Sequence, residues 1–378
     1  WIMRRMPGYF HNFHCTGTDC RDNCCCVGWE IELDPATAEK YRRMEGELGE
    51  RLRAAMYEED GCICMGQTDG RCPFLDARNL CSIQQSLGAD MLGEICREHP
   101  RYYAWFDGIT EAGVGMCCEE AARLILSDPA LDTFVTEDSR EDNDCDYDPA
   151  VFDALFAARQ TAFRLLQNRE LPLGERLTLF LVFADGLQEY LDLDEPERMQ
   201  QDIRQFSNEA YCRSMLDTLH ARSRGDKNRT AHWRALLELV AGLDILDAAW
   251  KNRLEALSRD PDRLLCRCDA FAADAAPLAY AFEHGAVYYT YRYFLRAVFD
   301  GDLLAKAQLT VIAALILGIC CMAEWEKTGT LTLEQIIAQA KTFSQEVEYS
   351  IENMDALAEA SYQTAVFHTE GFVSMLLG

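Results

Sequence analysis

The order of apolar and polar positions divides the chain into two parts. From residue 150 onward, apolar residues recur at helical spacing almost without interruption, and strand patterns are nearly absent. This periodicity predicts helices over residues 150–168, 174–193, 197–223, 230–258, 274–300, 303–327 and 332–358. No fixed-period repeat runs through them, so the pattern favours an α-helical domain over a solenoid.

Before residue 150 the predicted elements are shorter. The alternation over residues 28–33 predicts a short strand. Asp34 and Pro35 predict a helix start, since an acidic N-cap precedes a proline at the first helical position, and that helix is expected to run to about Tyr57. Further helices are expected from about Asp90 to His99 and over Glu119–Leu126. The predicted fold is mainly α, with little strand in the amino-terminal part.

The distribution of cysteines is the clearest sign of a domain boundary. The chain has 378 residues and 18 cysteines, and 13 of the cysteines precede Ala150. Acidic residues with little apolar content follow from Glu137 to Asp148, which is typical of a linker or an exposed loop. We therefore predict a cysteine-rich domain over residues 1–130, an acidic linker or loop over 131–149 and an α-helical domain over 150–378.

The net charge and the absence of a recognisable targeting signal indicate which classes of partner and which cellular compartment to expect. The net charge of −27 argues against a nucleic-acid partner, whose phosphates require a basic surface. It is compatible with a lysine-bearing protein substrate, and equally with acidity that only confers solubility. The apolar stretch Val311–Ala323 is too short to cross a membrane, so we expect a buried core helix and no membrane partner. Many cysteines without a secretory signal favour a reducing, cytoplasmic location.

The densest candidate chemistry lies between His14 and Trp29. Five cysteines fall within a dozen positions, namely Cys15, Cys20, Cys24, Cys25 and Cys26. Three consecutive cysteines cannot all form local disulfides, and thiolates this close repel one another unless they share a cation. A soft metal ion or an iron–sulfur cluster supplies that cation. The alternative is that these cysteines are small buried side chains.

Later segments add further thiols to this set. The candidate metal ligands are Cys20, Cys24, Cys25, Cys72, Cys81, Cys96 and Cys118. An iron–sulfur cluster or a structural zinc ion takes about four thiolates, so seven candidates exceed one site and the four ligands stay open. Zinc ribbons usually pair two Cys-x-x-Cys knuckles, which this chain lacks, so iron–sulfur is favoured over zinc. The Cys-x-x-x-Cys-x-x-Cys pattern of radical S-adenosylmethionine enzymes is also absent, because Val27 stands at its third position.

A tyrosine-rich run over Val287–Leu295 is the other candidate binding feature. On a helix, Tyr289 and Tyr293 share a face, with Tyr291 nearby. Aromatic faces can hold an ammonium or a sulfonium group by cation–π attraction. The alternative is aromatic core packing with a few hydroxyls at its rim.

The order of these motifs resembles the flagellin lysine-N-methylase family and the related metal-chelating cysteine-cluster domain. The matching segments are Met6–Phe10, Phe13–Trp29, Arg71–Asp76, Leu80–Gln84, Cys96–Arg101, Cys118–Leu124, Tyr291–Asp302 and Ser344–Asn353. The family usually has two cysteines before Gly-Trp, whereas this chain has three. Cys118 aligns with a family ligand, and Cys117 is an extra cysteine.

The resemblance implies a protein lysine N-methyltransferase that uses S-adenosylmethionine and carries a [4Fe–4S]-type cluster. It implies a protein substrate with exposed lysines, flagellin in the family. Within that hypothesis, Tyr289, Tyr291 and Tyr293 are candidate catalytic positioners, and Arg101 or Arg292 is available for the cofactor carboxylate. Two alternatives remain open. One is a metal- or iron–sulfur-binding redox or carrier protein without methylase activity, and the other is a scaffold with structural zinc whose helical domain binds a partner helix.

Overall fold

The computed structural model describes residues 2–21, 23–26, 28–29, 31–139 and 145–378. Helices make up 66% of the structure and strands 10%, with small sheets at the amino terminus followed by a helical region. The predicted mainly α fold is therefore confirmed.

The amino-terminal part alternates short strands with short helices. Its elements are β1 (Ile2–Pro7), β2 (Ile31–Glu32), α1 (Pro35–Arg43), α2 (Gly46–Ala55), β3 (Met56–Glu59), β4 (Cys62–Met65), α3 (Ser82–Leu87), α4 (Glu94–Glu98), β5 (Arg101–Phe106), β6 (Ile109–Val114), α5 (Glu119–Leu126) and β7 (Phe134–Ser139). Single turns of 3-10 helix lie at Phe10–Asn12, Gly17–Asp19 and Cys24–Cys26.

The carboxy-terminal part is helical. Its helices are α6 (Pro149–Leu166), α7 (Leu173–Asp192), α8 (Met199–Phe206), α9 (Glu209–Ser223), α10 (Arg229–Ala241), α11 (Ala248–Arg259), α12 (Asp262–Leu265), α13 (Cys268–Ala275), α14 (Ala279–Tyr293), α15 (Ala297–Asp300), α16 (Leu303–Thr328), α17 (Leu333–Phe343), α18 (Ile351–Gln363) and α19 (Thr369–Leu377). A π-helical turn, Ser344–Glu348, continues α17.

The predicted helix start at Asp34 is confirmed, but the predicted length is wrong. The Asp34 side chain accepts a hydrogen bond from the Thr37 amide, and Pro35 opens the helix. The helix ends at Arg43, and α2 begins at Gly46, whose φ of +81° is a conformation that favours glycine. The expected single helix to Tyr57 is therefore two helices, followed by β3.

A four-stranded sheet places the start of the chain between later segments. Its strand order is β5-β6-β1-β7, with β1 parallel to β6 and antiparallel to β7. Strand β7 lies inside the segment expected to be a linker or an exposed loop, and residues 140–144 of that segment lie outside the described residues. Pairing with β1 and stacking of Phe134 on Tyr291, at 4.7 Å between ring centroids, explain why the segment is ordered as a strand. A second sheet has the antiparallel order β2-β4-β3.

Two hydrophobic cores divide the described residues. The larger core joins the four-stranded sheet to the helices after residue 149. The smaller core lies around β2, β4 and α1, and includes Ile31, Tyr41, Met65 and Phe74. The first strand therefore packs with the helical part, while residues 31–92 supply a core of their own. The predicted domain boundaries stay a prediction.

Helix α16 is long and strongly apolar. By length and composition it is the one helix among the described residues that could cross a membrane, with a window hydropathy of 2.1. However, 72% of that window is buried inside the fold. The helix packs against α7, α14 and α17, as expected for the buried core helix predicted over Val311–Ala323.

Candidate functional site

A cavity of about 500 Å³ lies where the smaller core meets the four-stranded sheet, and thiols surround it. Nine cysteines line it: all seven predicted ligands, with Cys15 and Cys117 in addition. The predicted ligands come from five separate stretches of chain between residues 20 and 118. The fold thus brings the predicted ligand set to one place.

Hydrogen bonds to the backbone hold the segment that carries Cys24 and Cys25 in place. Cys24 and Cys25 lie on the 3-10 turn, and the Asn23 side chain accepts from the Cys25 amide at 2.9 Å and donates to the Asn79 carbonyl at 2.9 Å. The Cys72 amide donates to the Cys25 carbonyl, also at 2.9 Å. These bonds tie the consecutive cysteines to the later loop, so that their thiols share a wall of the cavity.

A carboxylate organises the loop that carries Cys72 and Cys81. The Asp76 side chain accepts hydrogen bonds from the amides of Arg78 and Leu80, at 2.8 and 2.9 Å. The bond from Leu80 is the largest of several that lower the pKa of Asp76 to about 2. The loop is therefore held in shape by an ionised carboxylate, and Cys81 follows it as the N-cap residue of α3.

Helix ends and a glycine turn place the last two predicted ligands. Cys96 lies on α4, and Cys118 is the N-cap residue of α5. The Gly115 amide donates to the Pro100 carbonyl at 2.8 Å, and the Cys118 amide donates to the Gly115 carbonyl at 3.3 Å. These bonds join the turn before α5 to the end of the Cys96 segment.

The structure separates the three consecutive cysteines. Cys24 and Cys25 line the cavity, whereas the Cys26 thiol accepts a hydrogen bond from the Arg71 guanidinium at 3.3 Å. Cys26 is exposed and is not among the residues that line the cavity. Of the three consecutive cysteines, Cys24 and Cys25 therefore face the cavity, and their role as ligands stays a prediction.

Burial disfavours ionisation of several of the cavity thiols. Burial raises the pKa of Cys96 to about 12 and that of Cys118 to about 11. A hydrogen bond with Cys24, together with burial, raises the pKa of Cys25. Charges on Cys24, Cys72 and Cys81 each contribute to the rise at Cys96, so these thiols are close enough to repel one another when ionised.

The cavity thiols surround a volume and do not meet at one point. Among the described residues, no group of three or more Cys, His, Asp or Glu side chains converges closely enough to hold one metal ion. The thiols instead surround a volume of about 500 Å³. A centre with several metal atoms can be reached by ligands from different sides, whereas a single zinc ion needs its ligands around one point.

The predicted tyrosines lie outside this cavity. Tyr289, Tyr291 and Tyr293 are 3%, 2% and 7% exposed and do not line it. The Tyr291 hydroxyl donates to the Arg5 carbonyl at 2.8 Å, and the Tyr293 hydroxyl donates to Glu348 at 3.0 Å. The Tyr289 hydroxyl has no hydrogen-bond partner among the described residues. The structure therefore places these tyrosines in the helical core, and their catalytic role stays a prediction.

The two predicted cofactor-binding arginines differ in their surroundings. Arg292 is buried and donates to Glu348 and to the Tyr288 hydroxyl, both at 2.7 Å. Arg101 lines the cavity, with its guanidinium 5.2 Å from the centre of the Phe13 ring. Arg101 is thus placed to meet a ligand in the cavity, while the charge of Arg292 is matched by a buried carboxylate.

Three aromatic residues that sequence reasoning did not select lie together at this site. Trp29 stacks on Tyr349, and His99 packs edge-on to both rings, at 5.6 and 6.5 Å between centroids. His99 and Gln345, from the π-helical turn, also line the cavity. Trp29, His99, Tyr349 and Gln345 all stand in segments that carry the family resemblance, which is a usable signal. Gln345 depends on a π-helical turn that helical periodicity does not reveal.

Comparison with known proteins finds one family model and several relatives. Residues 159–376 match the family model described as the FliB lysine N-methylase C-terminal domain. The lysine-N-methylases of Salmonella typhimurium and Salmonella choleraesuis are each 31% identical to this chain over 130 residues, which is 32% of this chain and 32% of theirs. The flagellar biosynthetic protein FliU of Salmonella muenchen is 32% identical over 130 residues, which is 76% of that protein. No solved structure matches the chain significantly.

Proposed function

Because the chain belongs to the FliB lysine N-methylase C-terminal domain family, we propose that it transfers methyl groups to lysine side chains of a protein. The observation that carries this proposal is the family match over residues 159–376, which agrees with the resemblance of the sequence motifs. The name of the Salmonella muenchen relative favours a flagellar protein as the substrate class, and the family resemblance favours flagellin.

We propose S-adenosylmethionine as the methyl donor. A neutral lysine amine attacks the sulfonium methyl group, a C–N bond forms, the C–S bond breaks, and S-adenosylhomocysteine leaves. Since lysine has an ordinary pKa of about 10.4, its ammonium must first lose a proton. The apolar cavity wall at Phe13 and Leu92 favours the neutral amine by desolvation. Arg101, which also lines the cavity, is the group available for the donor carboxylate.

We further propose that four of the seven predicted cysteines hold an iron–sulfur centre of the [4Fe–4S] type, with zinc as the alternative metal. When bound, such a centre supplies positive charge that keeps its ligands as thiolates and joins the segments that carry them. Two observations support this part: the convergence of the thiols on one cavity, and the mutual repulsion of Cys96 with Cys72 and Cys81.

The test is methyl transfer by the iron-loaded chain under anaerobic conditions. Flagellin and S-adenosylmethionine with a tritiated methyl group are incubated with the protein, and the modified positions are located by mass spectrometry. The expected result is label on lysine side chains, with none on flagellin whose lysines have been acetylated. Absence of transfer by a chain with full iron content, over a range of lysine-bearing proteins, contradicts the proposed reaction.

A metal-binding redox or carrier protein without methylase activity is the second candidate. It is favoured by one observation, that none of the three predicted tyrosines lines the thiol cavity. Calorimetry separates the two candidates, because a methyltransferase binds S-adenosylmethionine and a carrier does not. A carrier is also expected to deliver its metal to an acceptor protein.

A further inference from the structure

His99 brings a nitrogen donor to the cavity that the thiols surround. It follows the last residue of α4, three positions after Cys96, and both residues line the cavity. This spacing places the two side chains about one helical turn apart, on the same side of the segment. Imidazole nitrogens and thiolates are both common ligands of iron and zinc. The position of His99 is therefore that of a possible ligand.

The imidazole of His99 lacks the hydrogen bonds that satisfy another buried histidine of this chain. Its Nε2 atom is buried and has no hydrogen-bond partner among the described residues. By contrast, the ring nitrogens of His284 contact the Asp132 carboxylate at 2.8 Å and the Asp128 carbonyl at 2.7 Å. Buried polar atoms usually have a partner, so an unpartnered nitrogen beside a cavity calls for a further ligand.

Aromatic packing fixes the orientation of the His99 ring without using its nitrogens. Trp29 and Tyr349 each pack against it at steep angles, with 62° and 72° between the ring planes. A metal-bound imidazole needs a fixed ring orientation, which in most sites a hydrogen bond to the second nitrogen provides. Here, two neighbouring rings restrict the imidazole instead.

We propose that an imidazole nitrogen of His99 coordinates the inorganic centre held by the cysteines of this cavity. The inference rests on the metal part of the proposed function, and it identifies a ligand outside the cysteine set. Because imidazole is neutral and thiolate is anionic, a histidine ligand raises the reduction potential of an iron–sulfur centre compared with an all-cysteine one. In a four-ligand centre, His99 would take the place of one of the four cysteines proposed above.

The chain offers a matched control at the same cavity. His14 also lines the cavity, but it is exposed and stands beside Cys15 in the amino-terminal loop. The full chain and its His99→Ala, His99→Cys and His14→Ala variants are labelled with ¹⁵N-histidine. They are loaded anaerobically with ferrous iron and sulfide, and then reduced. Pulsed electron paramagnetic resonance measures the coupling of the paramagnetic centre to histidine nitrogen.

The expected result is a strong ¹⁵N coupling in the wild type and in His14→Ala, and its loss in both His99 variants. The His99→Cys variant is expected to keep its full iron content and to have a more negative reduction potential. If the His99→Ala variant loses its iron, no coupling can be measured in it, and the His99→Cys variant provides the test instead. Iron bound to that variant without the ¹⁵N coupling supports His99 as a ligand. Absence of the coupling in the wild type, or its persistence without His99, overturns the proposal.

The outcome is separable from the proposed methyl transfer. An iron-loaded wild type that methylates lysine but has no histidine coupling rejects His99 as a ligand and leaves the reaction standing. If the chain purifies with zinc, exchange for Co²⁺ provides the paramagnetic centre, and the same coupling is measured. A chain that binds neither metal overturns the inference together with the metal part of the proposed function.

Discussion

The hydroxyl oxygen of Tyr349 lies 1.9 Å from the point that a Cβ atom on Gly115 would occupy. Only a residue without a side chain fits there, because the turn before α5 runs directly against the tyrosine. The same tyrosine stacks on Trp29 and forms a hydrogen bond with the Cys117 thiol. Tyr349 thus contacts two segments of the cysteine-rich part of the chain, at Trp29 and at the turn before α5.

The Gly115→Ala substitution is expected to destabilise the fold by about 1–3 kcal/mol, because the added methyl group overlaps the Tyr349 hydroxyl. Urea unfolding measures the change. Tyr349→Phe in the same background is expected to recover part of the loss, since the nearest clashing atom is removed. Gly285→Ala is the matched control, because no atom lies within 4 Å of its added Cβ. Equal losses in the two alanine variants would contradict this explanation.

Substitution of cavity cysteines is expected to remove metal. Cys24→Ser, Cys72→Ser, Cys96→Ser and Cys118→Ser each replace a thiol that lines the cavity, and loss of metal in several of them would identify ligands. Anaerobic iron, zinc and sulfide analysis measures the effect.

Two exposed cysteines serve as controls for that series. Cys26→Ser tests the orientation of the three consecutive cysteines, and Cys266→Ser lies in the helical part. Both are expected to keep the wild-type metal content. If Cys26→Ser lost its metal while Cys24→Ser kept it, the assignment of the cavity-facing pair would be wrong.

Removal of the buried Glu348 carboxylate is expected to be costly. Glu348 accepts hydrogen bonds from Arg292, Tyr288 and Tyr293 and is buried. Glu348→Leu leaves the Arg292 charge unpaired and is expected to destabilise the fold by about 3–5 kcal/mol. The double variant Glu348→Leu with Arg292→Met removes both charges. Its free energy of unfolding is expected to fall by less than that of Glu348→Leu alone. Chemical denaturation measures both.

The exposed Glu352 provides the control for this pair. Glu352→Leu is expected to change the unfolding free energy by less than about 0.5 kcal/mol, as for most surface positions. A loss at Glu352 as large as that at Glu348 would mean that the buried ion pair is not the cause.

His284 is expected to make stability fall as the pH rises. Burial alone would lower its pKa, but the hydrogen bond and charge of Asp132 outweigh burial, so the pKa lies above its ordinary value. Above about pH 6.5, where a histidine in the unfolded chain loses its proton, the folded chain still binds one. Stability is therefore fully present below that pH and is lost as the pH rises through the folded pKa. Unfolding measured across this range should show the decline, and His284→Gln should flatten it.

Helical periodicity predicted most of the helices of the carboxy-terminal part, because the spacing of apolar residues follows the buried face of each helix. Even there, the stretch expected to be one helix over residues 230–258 is two, α10 and α11. In the amino-terminal part, the acidic stretch that begins at Glu137 concealed β7, since the order of this strand comes from pairing with β1, far away in sequence. Strand pairing of this kind is decided by tertiary contacts and not by local propensity.

In the candidate site, too, some features were predictable from the sequence and others depend on tertiary contacts. The cysteines were predictable because many thiols in one segment require a common explanation, and the fold brings all seven predicted ligands to the cavity. The aromatic ring contacts of His99 were not predictable, because they depend on a tyrosine near the end of the chain. The ion pair of Arg292 was not predictable either, since its buried partner, the Glu348 carboxylate, lies on a π-helical turn.

The cavity wall is completed by Gln345, which follows Cys118 by more than two hundred residues. At ordinary translation speeds, a ribosome needs roughly 10–50 s to make that intervening stretch. During this interval the nascent chain already carries every predicted thiol ligand, while the residue that completes the wall has not been made. The proposed inorganic centre therefore has an early opportunity for delivery on the ribosome, and the same interval leaves those sulfurs exposed to oxidants.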